Sequence, residues 1–131
     1  MTRRLISNER GSAIIEIAVA LPALIVLMWA IVQAGLVFRA MSGIQHGLGE
    51  GARYATLYPT PTTSTIKSKI QSTVYGIGPG SFTISNPVSG TQDGGNYLDL
   101  QVSYTQSTNL LIIPGPTITD RRSKRVWIST A

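Results

Sequence analysis

The sequence predicts an α+β protein carried on a membrane helix. A long apolar N-terminal helix comes first. A small domain follows, with one short helix on a three- or four-stranded antiparallel sheet. Three observations predict this. From Ile17 to Phe38 there are roughly 22 residues without a charge. At 1.5 Å per residue that is about 33 Å of helix, enough to cross a hydrocarbon core of about 30 Å. TTSTIKSKIQSTV places Ile66, Ile70 and Val74 on one helical face, with Lys67 and Lys69 off it. YLDLQVSYTQ, Tyr97 to Gln106, alternates as a half-buried strand does, with Leu98, Leu100, Val102 and Tyr104 on one side.

The 131 residues leave room for one small domain beside the apolar helix. About 90 residues follow that helix, enough for a modest core and too few for a large enzyme cleft. The net charge is +5, and three of the eleven basic residues, Arg3, Arg4 and Arg10, precede Gly11. Four more cluster as Arg121, Arg122, Lys124 and Arg125. Cysteine is absent, which excludes disulfides and thiolate metal sites. A secretory signal peptide would have an apolar region of about 7–15 residues, and the run here is longer. The basic start MTRR, with Arg10, favours a cytoplasmic N-terminus, although Arg39 and Arg53 lie on the far side.

Residues 1–10, MTRRLISNER, are polar and basic and precede Gly11-Ser12, with Glu16 as the fifth residue after the glycine. This G-S-x-x-x-E order, running into an apolar helix, resembles the processing site of type IV prepilins. The resemblance implies a leader, residues 1–11, removed by a prepilin peptidase between Gly11 and Ser12. The chemistry fits the spacing. Cleavage frees an amine at Ser12 that is mostly protonated at pH 7. Glu16 is one helical turn away, and a carboxylate in a low-dielectric setting needs a positive partner. That partner can be its own Ser12 amine or a neighbouring subunit's. The alternative is an interfacial acid favoured by the helix N-terminus.

Within the apolar run Pro22 removes one backbone hydrogen bond, which membrane helices tolerate when neighbours satisfy the freed carbonyl. Trp29 is near mid-span and reads as a packing residue rather than an interface anchor, and Gln33 can hydrogen-bond to another helix. Beyond Phe38 the stripe Met41, Ile44, Leu48 and Ala55 continues the helix. Gly43, Gly47 and Gly51 recur at i+4, which suggests close backbone packing against another helix. The alternative is a weak or frayed helix, because each glycine costs roughly 1 kcal/mol against alanine.

Gly11-Ser12-Ala13 with Glu16, then Leu21-Pro22, then Glu50-Gly51-Ala52-Arg53-Tyr54-Ala55, is similar to the TadE-like family. Ile17 stands where prepilins of that system often carry an aromatic residue. The motifs cover roughly the first 57 residues, and the rest matches in general layout. The resemblance implies a minor pilin or pseudopilin of the tight-adherence (Flp-type) pilus system. It also implies a single-pass inner-membrane protein with a periplasmic C-terminal domain. The implied partners are the prepilin peptidase, other pilins, the inner-membrane assembly platform and membrane lipid. The implied layout is a leader over 1–11, a long helix over 12–57 with its span near 13–38, and an α+β domain over 58–131. The rival reading is an unprocessed single-span protein whose periplasmic domain binds a partner.

In the C-terminal part, Pro59 and Pro61 end the long helix, and Thr62 or Thr63 can cap the short one. GIGPG is a turn without the lysine of a phosphate loop. Phe82 to Val88 reads as a strand and SGTQDGGN as a turn. LLIIPGP is an apolar run stopped by Pro114 and Pro116. Ile118 to Thr130 reads as a closing hairpin or a long edge strand, with Val126 and Ile128 inward. No internal repeat is visible. No catalytic, metal or cofactor site is expected. His46 is the one histidine, the acids Asp93, Asp99 and Asp120 are dispersed, and no serine sits in a nucleophile motif. The four clustered basic residues read as a solvated strand face, and no nucleic-acid partner is expected.

Overall fold

A single helix of 47 residues, α1 (Glu9–Ala55), runs through Pro22 and spans about 70 Å. The computed structural model describes residues 9–111 and 113–129, with side chains from residue 11 onward. Residues 1–8 of the expected leader, Ile112 of the apolar run and Thr130 of the expected last strand lie outside the described residues. The two parts of α1 meet different surroundings. Ile14, Ile15, Ile17, Val19, Leu21, Leu24, Leu27, Ile31 and Val32 are all exposed. From Val37 onward one stripe is buried, namely Val37, Ala40, Ile44, Leu48, Ala52 and Ala55. Its steps of three and four are those of an amphipathic helix on a core. The helix closes in a tighter turn, with the Thr56 and Leu57 amides donating to the Arg53 and Tyr54 carbonyls.

A second helix, α2 (Thr63–Thr73), starts at Thr62, whose hydroxyl accepts from the Thr65 amide at 3.4 Å. Ile66 and Ile70 are fully buried and Val74 packs on the same core, so the 3.6-residue spacing sets its inward face.

Four strands follow in one antiparallel sheet: β1 (Ser81–Ile84), β2 (Val88–Gln92), β3 (Gly95–Asn109) and β4 (Pro114–Ile128). The fold is thus α+β, with a long apolar helix, a short helix and a four-stranded sheet. β3 is central. β1 pairs with its Val102–Thr105 part, β2 with its Gly95–Asp99 part, and β4 lines the whole opposite edge. The inward face of β3 is Leu98, Leu100, Val102, Tyr104 and Gln106, the period-two pattern of the sequence.

Four local expectations need correction. Phe82 to Val88 is not one strand. It breaks at residues 85–87, where Pro87 has no amide to give the ladder, though the Ser85 amide still donates to the Gln101 carbonyl. SGTQDGGN is mostly strand, and the turn is only Asp93-Gly94. Both have positive φ, 52° and 77°, the geometry of a two-residue hairpin. Pro114 and Pro116 do not stop the chain, because they begin β4, an edge strand that tolerates proline at its start. The basic cluster is not one solvated face. Strand alternation puts Arg121 and Arg125 opposite Ser103 and Asp99 on the outer side, and Arg122 and Lys124 toward α1.

Candidate functional site

The residues singled out by sequence all lie on α1, at two levels. At the first, Gly11, Ser12 and Glu16 occupy its early turns. Ser12 and Glu16 are exposed, and no described side chain forms an ion pair with Glu16. The stretch that follows is long and apolar enough to cross a membrane, and its most apolar window is unburied. Pro22 is exposed within it. A helix apolar on all sides, with no buried residue before Val37 among the described residues, needs an apolar solvent or other helices.

At the second level the glycine face meets the chain's own second helix. A Cβ added at Gly43 would collide with the Tyr75 backbone carbonyl. At Gly47 it would meet Val74 Cγ2 and the Ile70 carbonyl, and at Gly51 the Ile70 side chain. The glycines therefore let α2 and the segment after it lie against the backbone of α1. His46 packs beside Tyr75, ring centroids 5.6 Å apart. In Glu50-Gly51-Ala52-Arg53-Tyr54-Ala55 the small residues Gly51, Ala52 and Ala55 are buried. Glu50, Arg53 and Tyr54 line a shallow surface groove with Leu57 and Lys69.

Three features escaped local reading. Trp29 and Gln33 bond to the end of β3, some 80 residues away. The Trp29 Nε1–H is shared between the Asn109 carbonyl (3.0 Å) and its Oδ1 (2.9 Å). The Asn109 amide donates to Gln33 Oε1 at 3.1 Å, and the Gln33 amide donates back to the Asn109 carbonyl. The second feature is the Tyr104 hydroxyl, buried near the Ile77 carbonyl (2.8 Å) and the Gln106 side-chain amide (2.6 Å). Burial pushes this phenol up, against a smaller opposing bond from the Gly80 backbone. The third is on the outer sheet face. Arg125 donates to both oxygens of Asp99, at 2.7 and 2.8 Å. It also lies 3.9 Å from the Tyr97 ring centroid, and Trp127 meets the same ring edge-on. The guanidinium beside Asp99 holds that carboxyl below the usual range. Alternation placed Asp99 on this face, but its partner depends on the β3–β4 register. Among the described residues no group of three or more His, Cys, Asp or Glu side chains is placed to hold a metal ion.

Against known proteins, no curated protein and no solved structure matches the chain. A family model does match. It is that of the TadE-like proteins, over residues 11–53, and so covers α1 from Gly11 almost to its end. The family points to the Tad pilus system and to association with pilus components in general, and the apolar helix fits a membrane-anchored protein. Residues 11–53 of this chain thus match the TadE-like model along most of the long helix, a third of the sequence.

Proposed function

We propose that this chain is a prepilin-like minor pilin or pseudopilin that takes part in assembling a tight-adherence pilus. A prepilin peptidase removes residues 1–11 by cutting between Gly11 and Ser12. The new Ser12 ammonium and Glu16 then supply the charge pair by which one subunit registers against the next. The exposed apolar part of α1 packs among other pilin helices or lipid. The domain from about residue 58 stands on the periplasmic side, facing the assembly platform and partner pilins. The observation that carries this reading is the G-S-x-x-x-E order at the head of an apolar helix whose most apolar window is unburied. The family match begins at the same glycine.

The test is the intact mass of the protein extracted from membranes of cells that carry the peptidase. The expected mass lacks residues 1–11, and deleting the peptidase restores it. A full-length mass in both strains refutes processing and favours an unprocessed single-span protein.

A further inference from the structure

The β3–β4 turn is an anomaly for a water-facing hairpin. From Leu100 to Thr119 the sequence carries no charge, and the turn itself reads Leu110-Leu111-Ile112-Ile113. Leu111 and Ile113 are 52% and 64% exposed. The opposite end of β3 is unlike it, turning through Gln92, Asp93 and Gly94 as hairpins in water do.

Its position on α1 is also telling. Asn109 is clamped by Trp29 and Gln33. Gln33 is about 8 Å and Trp29 about 14 Å along the axis before Phe38, where the uncharged run ends. The turn thus lies beside the apolar part of the helix, below the level of Arg39.

At the root of the turn, described backbone groups find partners within the protein. The Asn109 amide and carbonyl bond to Gln33 and Trp29. The Leu110 amide donates to the Ile113 carbonyl at 2.8 Å. The Thr108 hydroxyl donates to the Pro116 carbonyl at 2.6 Å. Pro114 and Pro116 carry no amide proton. Unsatisfied backbone groups are what bar irregular chain from hydrocarbon, at several kcal/mol each. The bonds at Asn109, Thr108 and Leu110 lower that cost at the root of the turn, beyond which Leu111 and Ile113 are exposed.

We propose that the β3–β4 turn is a second membrane contact, inserted among the acyl chains of the leaflet beside α1. The occupant of its exposed face is lipid. The clamp explains why Trp29 and Gln33 interrupt an aliphatic run: they satisfy the backbone of Asn109, at the root of the turn, where water does not reach. The domain then stands on the membrane at two points, the helix and the hairpin. The inference rests on the membrane-spanning reading of α1.

The test uses the full chain reconstituted in vesicles of phosphatidylcholine and phosphatidylglycerol. The protein has no cysteine, so single substitutions can be labelled cleanly with an environment-sensitive fluorophore. Leu111→Cys reports the turn, Leu27→Cys the span, and Ser68→Cys the exposed surface of α2. With brominated acyl chains present, Leu111→Cys should be quenched nearly as strongly as Leu27→Cys, and Ser68→Cys should not be. An unquenched Leu111→Cys that reacts with a water-soluble maleimide, beside a quenched Leu27→Cys, overturns the insertion and leaves the span intact. A Leu111→Cys protected from both quencher and maleimide means that protein covers the turn, which also overturns it. An unquenched Leu27→Cys removes the span itself. Trp29→Phe with Gln33→Leu should lower quenching at Leu111→Cys without changing it at Leu27→Cys.

Discussion

Two glycines six residues apart on α1 should respond to alanine with opposite signs. At Gly43 the methyl would enter the space of the Tyr75 carbonyl, which is backbone and has no rotamer to give. At Gly49 the nearest atom to such a methyl is Lys124 Nζ at 3.9 Å, ordinary contact with a flexible side chain. Both changes gain roughly 1 kcal/mol of helix propensity. At Gly49 little opposes that gain. At Gly43 the segment after α2 must move, and overpacking of this kind costs about 1–3 kcal/mol, with a fixed backbone neighbour toward the upper end. Gly43→Ala should therefore be destabilising by on the order of 1–2 kcal/mol and Gly49→Ala stabilising by up to about 1 kcal/mol. For a domain of this size each kcal/mol moves the Tm by about 4–8 °C. The assay is a thermal melt of the full-length protein in detergent, followed by near-ultraviolet circular dichroism. That signal reports packed aromatic side chains, most of which lie in the domain, rather than the backbone of the apolar helix. Gly47→Ala and Gly51→Ala should fall between the two, since side-chain atoms are the nearest obstacles there. If Gly43→Ala melts at or above the wild type, as Gly49→Ala should, then the segment after α2 does not need a bare backbone beneath it. The glycines would then mark only a weak helix.

Tyr104→Phe leaves the Ile77 carbonyl and the Gln106 amide short of a partner in a buried place, so it should cost about 1–3 kcal/mol. Because the folded phenol holds its proton more tightly than the unfolded one, stability should be full below the ordinary tyrosine pKa and fall as pH rises above it. Melts across that range, with Tyr104→Phe lacking the decline, check both points. Asp99 has the opposite sign. Its carboxyl is held low by Arg125, so the contribution is present above the ordinary carboxylate pKa and lost as pH falls through the lowered value. Arg125→Met should return the Asp99 titration, read by carboxyl NMR, to the ordinary range; an unchanged titration would show that the pair does not form in solution. Glu16→Gln should leave insertion and cleavage intact but abolish co-purification with pilin partners, since an unpartnered buried ammonium costs on the order of 3–5 kcal/mol. Normal assembly of Glu16→Gln would reduce the acid to a helix-end feature.

Periodicity made the larger elements legible. The charge-free run, the spacing of Ile66 and Ile70, and the alternation from Leu98 to Tyr104 each state a burial pattern that needs no partner to be read. What failed to show was pairing. β1 was legible only as part of a longer strand over Phe82–Val88, and β2 read as a turn; they are two strands because each lies on a different part of β3. The run at Leu110–Ile113 looked like a stop because proline follows, yet proline suits the start of an edge strand. Of the residues chosen for function, the glycine spacing signalled close approach but could not name what approaches. Gln33 was readable as a polar bridge within an apolar helix. That its bridge goes to Asn109 required the third dimension.

The change in α1 from a helix apolar on every side to one with a single buried stripe falls between Val32 and Val37. A helix that merely emerged from a membrane into a loosely tethered domain would leave this junction free to bend. Here it is bridged. The sheet and α2 hold α1 from Val37 to Ala55, and the β3–β4 turn grips it again at Trp29 and Gln33. Tilting the domain against the span would break the hydrogen bonds between Asn109 and Trp29 and Gln33, and if the turn lies in lipid each group left without a partner costs on the order of 1–3 kcal/mol. The domain's orientation is thus set by the helix that carries it. If subunits register by their helix starts, through Glu16 and a neighbour's amine, that register passes along α1 to Tyr97, Arg125 and Trp127 at the far end of the sheet. One charge pair near the membrane would then fix how the outer surfaces of successive subunits face one another.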